Sequence, residues 1–387
     1  MIPLGEVQEA VIGSITRFAP VELDPADALG LVTATDVIAE GPVPPFANTA
    51  MDGYAVRAAD TAGASSESPV RLRVVGDLPA GYAPTITVGP GEAIRIMTGA
   101  PIPDGADAIV IVELTERAVA DDDGDGANGD AVEVLQEAVR GAHVRAAGGD
   151  VEAGQLVFAA GTVLGPAHLG VLASIDVHKV LVFPRARVGV LSTGDELVES
   201  GPLTPGKIRD ANRPMLLALL ARAGMEPVNL GMAPDNEDAM TAVLEQALDS
   251  CDSVITSGGV SVGDYDYVSA ALERIAAGDL DGDPENGSRV DWYQVAIRPS
   301  KPLCFARLRG KPVFGLPGNP VSSRVSFELF ALPALRALMG YTTLHRPEVV
   351  ARVEHAMPRK PDGKLHLDRV RVRVDADGRY VATSAGA

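Results

Sequence analysis

Apolar positions recur at helical spacing in VQEAVIGSITRF (7–18). The Ala/Leu-rich run PADALGLVTATDVIA (25–39) reads the same way, so the first forty residues are expected to be helical. GPVPPF breaks the pattern. Short β-type runs follow (RLRVV, ADAIVIVEL, AVEVL and LVFAAGTVL) between Gly/Pro turns, which is the signature of a compact β-rich domain. From about residue 166 the rhythm changes again. PAHLGVLASI predicts a helix, and ARVGVLSTGDEL a buried strand running into a loop. NRPMLLALLARAG predicts a helix with an Asn cap, an early Pro and a terminal Gly. EPVNLGMAPD, NEDAMTAVLEQALDS, SVITSGG and DYVSAALERIAA continue as strand, helix, strand and helix. That alternation implies a parallel sheet covered on both faces.

VDWYQVAI, KPLCFARL and KPVFGLPG supply further strands. PVSSRVSFELFALPALRALMG reads as one helix with Val321, Val325, Leu329 and Leu332 on its apolar face. Beyond Arg346, PEVVARVEHAM and LHLDRVRVRVD alternate as strands. The expected organisation is an N-terminal helical and linker domain (1–45 with 140–175), a β-rich domain (46–139), an α/β domain (176–340) and a small C-terminal β-domain (341–387). The fold class is α/β plus β: an elongated multi-domain chain with a doubly wound, mostly parallel α/β domain, a β-rich inserted domain and a small C-terminal β-domain.

The 387 residues carry a net charge of −19, which argues against non-specific binding to nucleic acid. The charge is uneven. Residues 291–360 hold 11 basic and 4 acidic side chains, a net of +7, whereas the first 290 residues sum to −27. A basic segment in an acidic chain suits a small anionic ligand, or simply a solvated basic face. No run approaches the ~18 apolar residues of a membrane span, and the N-terminus lacks a basic start and a continuous apolar segment. Two cysteines make neither a disulfide framework nor a four-thiolate metal site. The expected address is the cytoplasm, with no membrane partner.

Three motif matches fail on physical grounds. GDGANG fits G-x-G-x-x-G but sits among Asp121, Asp122, Asp123, Asp125 and Asp130, where a pyrophosphate meets like charge. Read as a calcium loop, the same stretch places Val132 where the bidentate acid belongs. GPLTPGK fits most of a P-loop, but Ile208 replaces the magnesium-binding hydroxyl and two prolines remove amide donors. GVSVG resembles a nucleophile elbow around Ser261, yet Asp264 and Asp266 oppose an oxyanion and the downstream histidines fall in the terminal β-type runs.

The stronger signals lie where predicted strands end, the place where ligands bind in open parallel sheets. These are Thr193-Gly194-Asp195-Glu196, Pro234-Asp235, Gly258-Gly259 with Ser261, Asp264 and Asp266, and Leu316-Pro317-Gly318-Asn319-Pro320. The glycines let amides approach a phosphate or fused ring. PGNP opens a helix, whose free N–H groups are expected to face outward. Glu196, Asp235 and Asp266 offer hard oxygen ligands for magnesium shared with substrate phosphates. Taken singly, each acid reads equally well as a cap or turn residue. Arg298-Pro299-Ser300-Lys301-Pro302 forms a stiffened basic turn for an oxyanion, with Lys207, Arg209 and Arg213 available from an earlier loop, or else a solvated strand-edge turn.

PPFANTAMDGYAVR, RIMTGAPIPDGADAIV, VGVLSTGDEL, IRDANRPML, SGGVSVGDYDY and GLPGNPVSS occur in one order along the chain. Together they resemble the molybdopterin molybdenumtransferase family, which includes the E domain of gephyrin. The resemblance implies insertion of molybdenum, from molybdate, into adenylylated molybdopterin, with Mg²⁺ assisting and AMP released. It implies an elongated homodimer whose active cleft is shared between subunits, and a molybdopterin adenylyltransferase is a partner consistent with it. By motif it gives Asp52, Glu196, Asp235 and Asp266 catalytic roles, with Asp235 and Asp266 on the metal. It places Thr98, Asp210, Asn212, Gly258, Gly259, Ser261, Asp264, Pro317, Gly318 and Asn319 on the substrate. Arg298, Ser300, Lys301 and Arg369 fall at molybdate.

The chain departs from the family pattern in three places. The molybdate turn usually reads Lys-Pro-Gly-Lys-Pro, against Arg298-Pro299-Ser300-Lys301-Pro302 here. Ala211 stands where Ser is common. The sequence stops at TSAGA, short of the strands that complete the family's last domain, so a truncated form is expected. Two rivals remain: a non-catalytic gephyrin-like scaffold, and a molybdopterin adenylyltransferase, whose fold resembles residues 180–340 alone.

Overall fold

The computed structural model describes residues 1–119, 130–258, 267–279, 287–358 and 361–386. The chain divides into two compact units. One comprises Met1–Thr35, Ala160–Pro166 and Lys179–Ala387, the other Asp36–Ala159 and Ala167–His178. The protein is mixed α/β, with several sheets and few helices.

The second unit is built on a six-stranded sheet. Its order is Ala108–Ile111, Gly53–Val56, Glu92–Ile96, Val70–Leu78, Asp130–Val134 and Thr115–Val119. All neighbours are antiparallel except Val70–Leu78 with Glu92–Ile96, where an irregularity between Val74 and Gly76 shifts the register. Alternation splits the buried side chains between two faces. Tyr54, Val56, Ala93, Val110 and Val132 form one cluster, and Ala55, Ile94, Ile96 and Ile109 the other. Gly53 is required by close approach, since a Cβ there would lie 2.1 Å from the Val110 carbonyl oxygen.

The α/β part of the first unit carries another six-stranded sheet. Its order is Glu226–Ala233, Arg187–Thr193, Ser253–Ser257, Lys311–Leu316, Pro302–Leu308 and Arg289–Gln294. The first four strands run parallel and the last two antiparallel. Parallel strands covered on both faces have continuous apolar runs, and Val188–Ser192 and Ser253–Ser257 are buried throughout. Helices Glu237–Ser250 and Tyr267–Gly278 cover one face through Met240, Leu244, Leu248, Val268, Leu272 and Ile275, packed on Leu191, Val254 and Val313. Asn212–Arg222 packs on the strands Arg187–Thr193 and Glu226–Ala233, and Pro320–Ser326 on Lys311–Leu316. The connections from Arg187–Thr193 and from Ser253–Ser257 leave in opposite directions along the sheet, so a topological switch point lies between these two neighbours.

Three expectations are corrected. Residues 25–39 form turns and two short strands, Val32–Thr33 and Val37–Ile38, instead of a helix. Gly30 adopts φ +80° and the β-branched residues that follow pair in sheets, which overrides the Ala/Leu composition. The 320–340 helix is interrupted by a π-helical turn, Phe327–Ala331, between Pro320–Ser326 and Leu332–Leu338. The buried stripe runs through Ser323, Ser326, Phe327, Phe330, Leu332 and Ala334, and Val321, in the first turn, is exposed. Asn212 lies inside its helix, and the first-turn N–H of Arg213 is met by the Asp210 carboxylate at 3.2 Å.

Leu244 is fully buried at the centre of the helix-covered face. Leu244→Ala is expected to lower the unfolding free energy by about 2–5 kcal/mol, read as a shift in the urea midpoint at unchanged slope.

Candidate nucleotide and oxyanion sites

Strand ends flanking the switch point carry most of the candidate residues. After Thr193 the chain turns through Gly194 at φ +133°, where a Cβ would lie 2.5 Å from Oε2 of Glu196. Only glycine leaves room for that carboxylate against the loop. The neighbouring strand end meets it: the Asp195 N–H donates to Oδ2 of Asp235 at 3.1 Å, and the Asp235 N–H to Oδ1 of Asp195 at 3.4 Å. Asp195, which motif reasoning did not assign, thus locks the Asp235 loop in place. The side-chain ammonium of Lys207 donates to the Asp195 carbonyl.

Gly258 ends the strand Ser253–Ser257 at φ +97°, with a would-be Cβ 2.8 Å from the Thr193 carbonyl oxygen. Backbone from the two strands therefore meets closely where a ligand amide cradle needs it. Asn212 is 7% exposed, and its Nδ2 donates to Ser257 Oγ at 2.7 Å and to the Gly318 carbonyl at 2.6 Å. One amide group ties a helix start, a strand end and the Pro317–Gly318 loop together. Asn319 caps the following helix, its Oδ1 accepting from the N–H groups of Val321 (3.0 Å) and Ser322 (3.3 Å). Those donors, expected to face outward, are thus satisfied within the chain.

Asp210 is placed differently from a residue open to ligand. Its carboxylate is 2% exposed and bonds Arg213 Nε at 3.0 Å, while Arg213 also reaches Glu199 (2.5 Å) and Asn229 (3.0 Å). The Asp-x-x-Arg spacing, i to i+3, is the sequence signal for that pair. Arg213 is not available to an oxyanion. Gly259, Ser261, Asp264 and Asp266 lie outside the described residues.

In the other unit, Asp52 and Thr98 are joined. Thr98 donates to Oδ1 of Asp52 from its hydroxyl (2.6 Å) and from its N–H (2.7 Å). These two bonds, the hydroxyl's first, hold the exposed Asp52 carboxyl below the ordinary carboxylate value, with Arg95 assisting and slight desolvation opposing.

The basic turn contributes to an open pocket of 680 Å³ lined by Arg298, Pro299, His366, Asp368, Arg369 and Ser384 among others. Arg298 and Arg369 are thus brought together, while Lys301 is exposed outside that lining. Ser300 is 4% exposed at φ +75°, and its hydroxyl bonds that of Ser326. It shapes the turn from within.

No group of three His, Cys, Asp or Glu side chains is arranged to enclose a metal among the described residues. No described helix is long and apolar enough to cross a membrane.

Residues 2–175 match the model of the MoeA N-terminal region (domain I and II), and residues 189–337 match a probable molybdopterin binding domain. Molybdopterin molybdenumtransferase 2 of Mycobacterium tuberculosis is 41% identical over 365 residues, covering 94% of this chain and 86% of that protein. The chain belongs to the molybdopterin molybdenumtransferase family. The Bacillus subtilis molybdopterin molybdenumtransferase is 36% identical, with 93% and 80% covered. The crystal structure of a molybdopterin biosynthesis MoeA protein from Pyrococcus horikoshii OT3 superposes with a TM-score of 0.76 at 28% identity, covering 99% of this chain and 89% of that one. As a member of the molybdenumtransferase family the chain is a transferase.

Two outcomes test this geometry. Thr98→Val removes the hydroxyl bond, so the Asp52 pKa is expected to rise toward 3.8, followed by carboxyl NMR. The sign follows: the Asp52–Thr98 link is present above the unfolded value and lost as pH falls through the lower folded one. Asp210→Asn leaves the buried Arg213 short of one counter-charge. It is expected to cost stability near the lower end of about 3–5 kcal/mol, because Glu199 remains, measured by urea unfolding.

Proposed function

We propose that this transferase inserts molybdenum into the dithiolene of adenylylated molybdopterin, taking molybdate as co-substrate and releasing AMP. The observation that carries this reading is the convergence of the Glu196, Asp235 and Gly258 strand ends at the switch point, braced by Asn212, in a chain that also holds a separate arginine pocket. The first region suits a nucleotide-linked ligand and the second a small oxyanion.

In this reading the Gly258–Ser261 and Pro317–Asn319 loops hold the phosphate and pterin. Asn212 fixes their spacing and Asp210 fixes the loop before the helix. Arg298 and Arg369 hold molybdate, Lys301 adds charge at the rim, and Ser300 sets the turn. We assign a homodimer in which Asp52, ionised and aimed by Thr98, serves the site of the other subunit. Magnesium suits this donor set when it is shared with substrate. Mg²⁺ accepts one or two carboxylates and completes its shell with water and phosphate oxygens, and only one oxygen of Asp235 is taken by the Asp195 N–H. Asp235, with Asp266, is assigned to it. When bound, the ion neutralises charge on the phosphoanhydride and the departing AMP. Glu196 orients a bound water or hydroxyl.

Incubation with adenylylated molybdopterin, molybdate and Mg²⁺ should release AMP and yield molybdenum cofactor in step. Asp235→Asn should slow AMP release by at least about tenfold, the scale known for groups supporting a metal. ATP consumption with no AMP release from the adenylylated substrate would make the chain an adenylyltransferase. Neither activity would leave the scaffold reading.

A further inference from the structure

The oxyanion pocket also contains a histidine that neither the motifs nor the basic turn accounts for. His366 lines the pocket together with Arg298 and Arg369. Its position is set by main-chain pairing. The short strand Leu365–His366 runs parallel to Ile297–Arg298, with Leu365 opposite Ile297 and His366 opposite Arg298. Bonds from the Leu365 N–H to the Ala296 carbonyl (2.9 Å) and from the Leu367 N–H to the Arg298 carbonyl (2.8 Å) close the ladder. Residues opposite one another in a ladder project to the same side, so the imidazole and the Arg298 guanidinium share one wall.

The imidazole is also held by a carboxylate. Nε2 of His366 lies 3.0 Å from Oδ1 of Asp362, and the two side chains are 17% and 31% exposed. This bond is the largest influence keeping the Asp362 carboxyl below its ordinary value, with the Lys364 N–H and ammonium contributing less. An ionised Asp362 favours the imidazolium. Among the described residues, the charged groups around the ring are Asp362 and Lys364 on its own segment, Arg298 on the paired strand, and Asp368 and Arg369 on the stretch that follows. The arginines oppose protonation and the carboxylates favour it, so a dianion entering the pocket tips the balance towards the protonated ring.

We propose that His366 is a third cationic donor of the oxyanion pocket, positioned by Asp362, and that a tetrahedral dianion binds with uptake of a proton on this ring. With Nε2 engaged by Asp362, Nδ1 is the remaining ring nitrogen. In the neutral ring carrying its proton on Nε2 it is an acceptor that repels an oxyanion, and in the imidazolium it is a donor. Affinity is therefore expected to rise as pH falls and the ring becomes protonated. The inference rests on the arginine pocket being the molybdate site, and the test separates the two.

The test is calorimetric titration of the full chain with sodium molybdate between about pH 6 and about pH 8, the range in which histidine changes charge. The wild type is expected to gain affinity on acidification, up to the limit of about tenfold per pH unit for one linked proton. His366→Gln is expected to bind with little pH dependence and several-fold more weakly at about pH 6. Asp362→Asn is expected to move the dependence to lower pH. NMR titration of the His366 ring reports the same event without activity, its pKa rising when molybdate is added. A His366→Gln variant that keeps the wild-type pH dependence, or a ring pKa that molybdate leaves unmoved, overturns the role of His366. Arg298→Ala is the control on the site: unchanged molybdate binding in that variant, or no binding by the wild type at any pH, overturns the site and the inference with it.

Discussion

A single buried amide holds the loops beside the switch point together. Asn212 has two N–H donors, and both are used, one on Ser257 Oγ and one on the Gly318 carbonyl. The side chain is 7% exposed, so these bonds form where water offers no substitute and where an unmade bond is expensive. The residues it joins are 45 and 106 positions away along the chain. No local propensity can set that spacing. Strand order brings the Ser253–Ser257 and Lys311–Leu316 strands side by side, and Asn212 converts their adjacency into a fixed distance between two glycine-containing loops. The loops on either side are braced in the same way, by reciprocal bonds between Asp195 and Asp235 and by the Asp210–Arg213 pair.

The first unit separates two electrostatic environments. At the switch point exposed carboxylates gather, with Glu196 packed over Gly194 and Asp235 against Asp195, beside the Lys207 ammonium on the Asp195 carbonyl. A phosphate beside these carboxylates is favoured when a cation accompanies it, as the proposed reading requires. In the other pocket the described lining carries Arg298 and Arg369 beside Asp368, with Asp362 behind His366, a balance that suits a small anion in the proposed reading.

Much of this was legible in the residues, and the misses have physical causes. Continuous apolar runs such as Val188–Ser192 and Ser253–Ser257 mark strands buried on both faces, and the loops at their ends were found by that logic. The run 25–39 misled because Ala and Leu dominate its composition, while Gly30 and the β-branched Val32, Thr33, Val37 and Ile38 decide its conformation through pairing with distant strands. Val321 was placed on the buried face because it is apolar, but the face turned to the core in this first turn carries Ser323 and Ser326, which hydropathy alone does not mark as buried. Asn212 has the chemistry of a cap, but tertiary partners claimed its side chain and left that task to Asp210. Arg213 looked available because basic residues are usually exposed. The Asp-x-x-Arg spacing was the local hint that this one pairs inward. His366 could not be assigned at all from sequence, since its place beside Arg298 depends on a two-residue ladder between segments 68 positions apart.

The departure at the basic turn illustrates how little of a site's geometry is changed by an unusual residue. The family pattern has glycine where this chain has Ser300, and the φ of +75° explains that preference, because a side chain in the left-handed region costs roughly 1–2 kcal/mol. Ser300 is buried, and its hydroxyl meets that of Ser326, one residue before the π-helical turn. A buried hydrogen bond is worth about 1 kcal/mol, the same order as the backbone cost. The turn therefore keeps the form that glycine adopts freely, now tied to the helix Pro320–Ser326 behind it. The substitution of Arg298 for lysine is of a different kind. A guanidinium presents a planar fork of donors that can grip two oxygens of one anion, whereas an ammonium is a mobile point charge. With the backbone form retained and the cation exchanged, the difference between this turn and the family pattern lies in the donor it presents, a planar fork in place of a point charge.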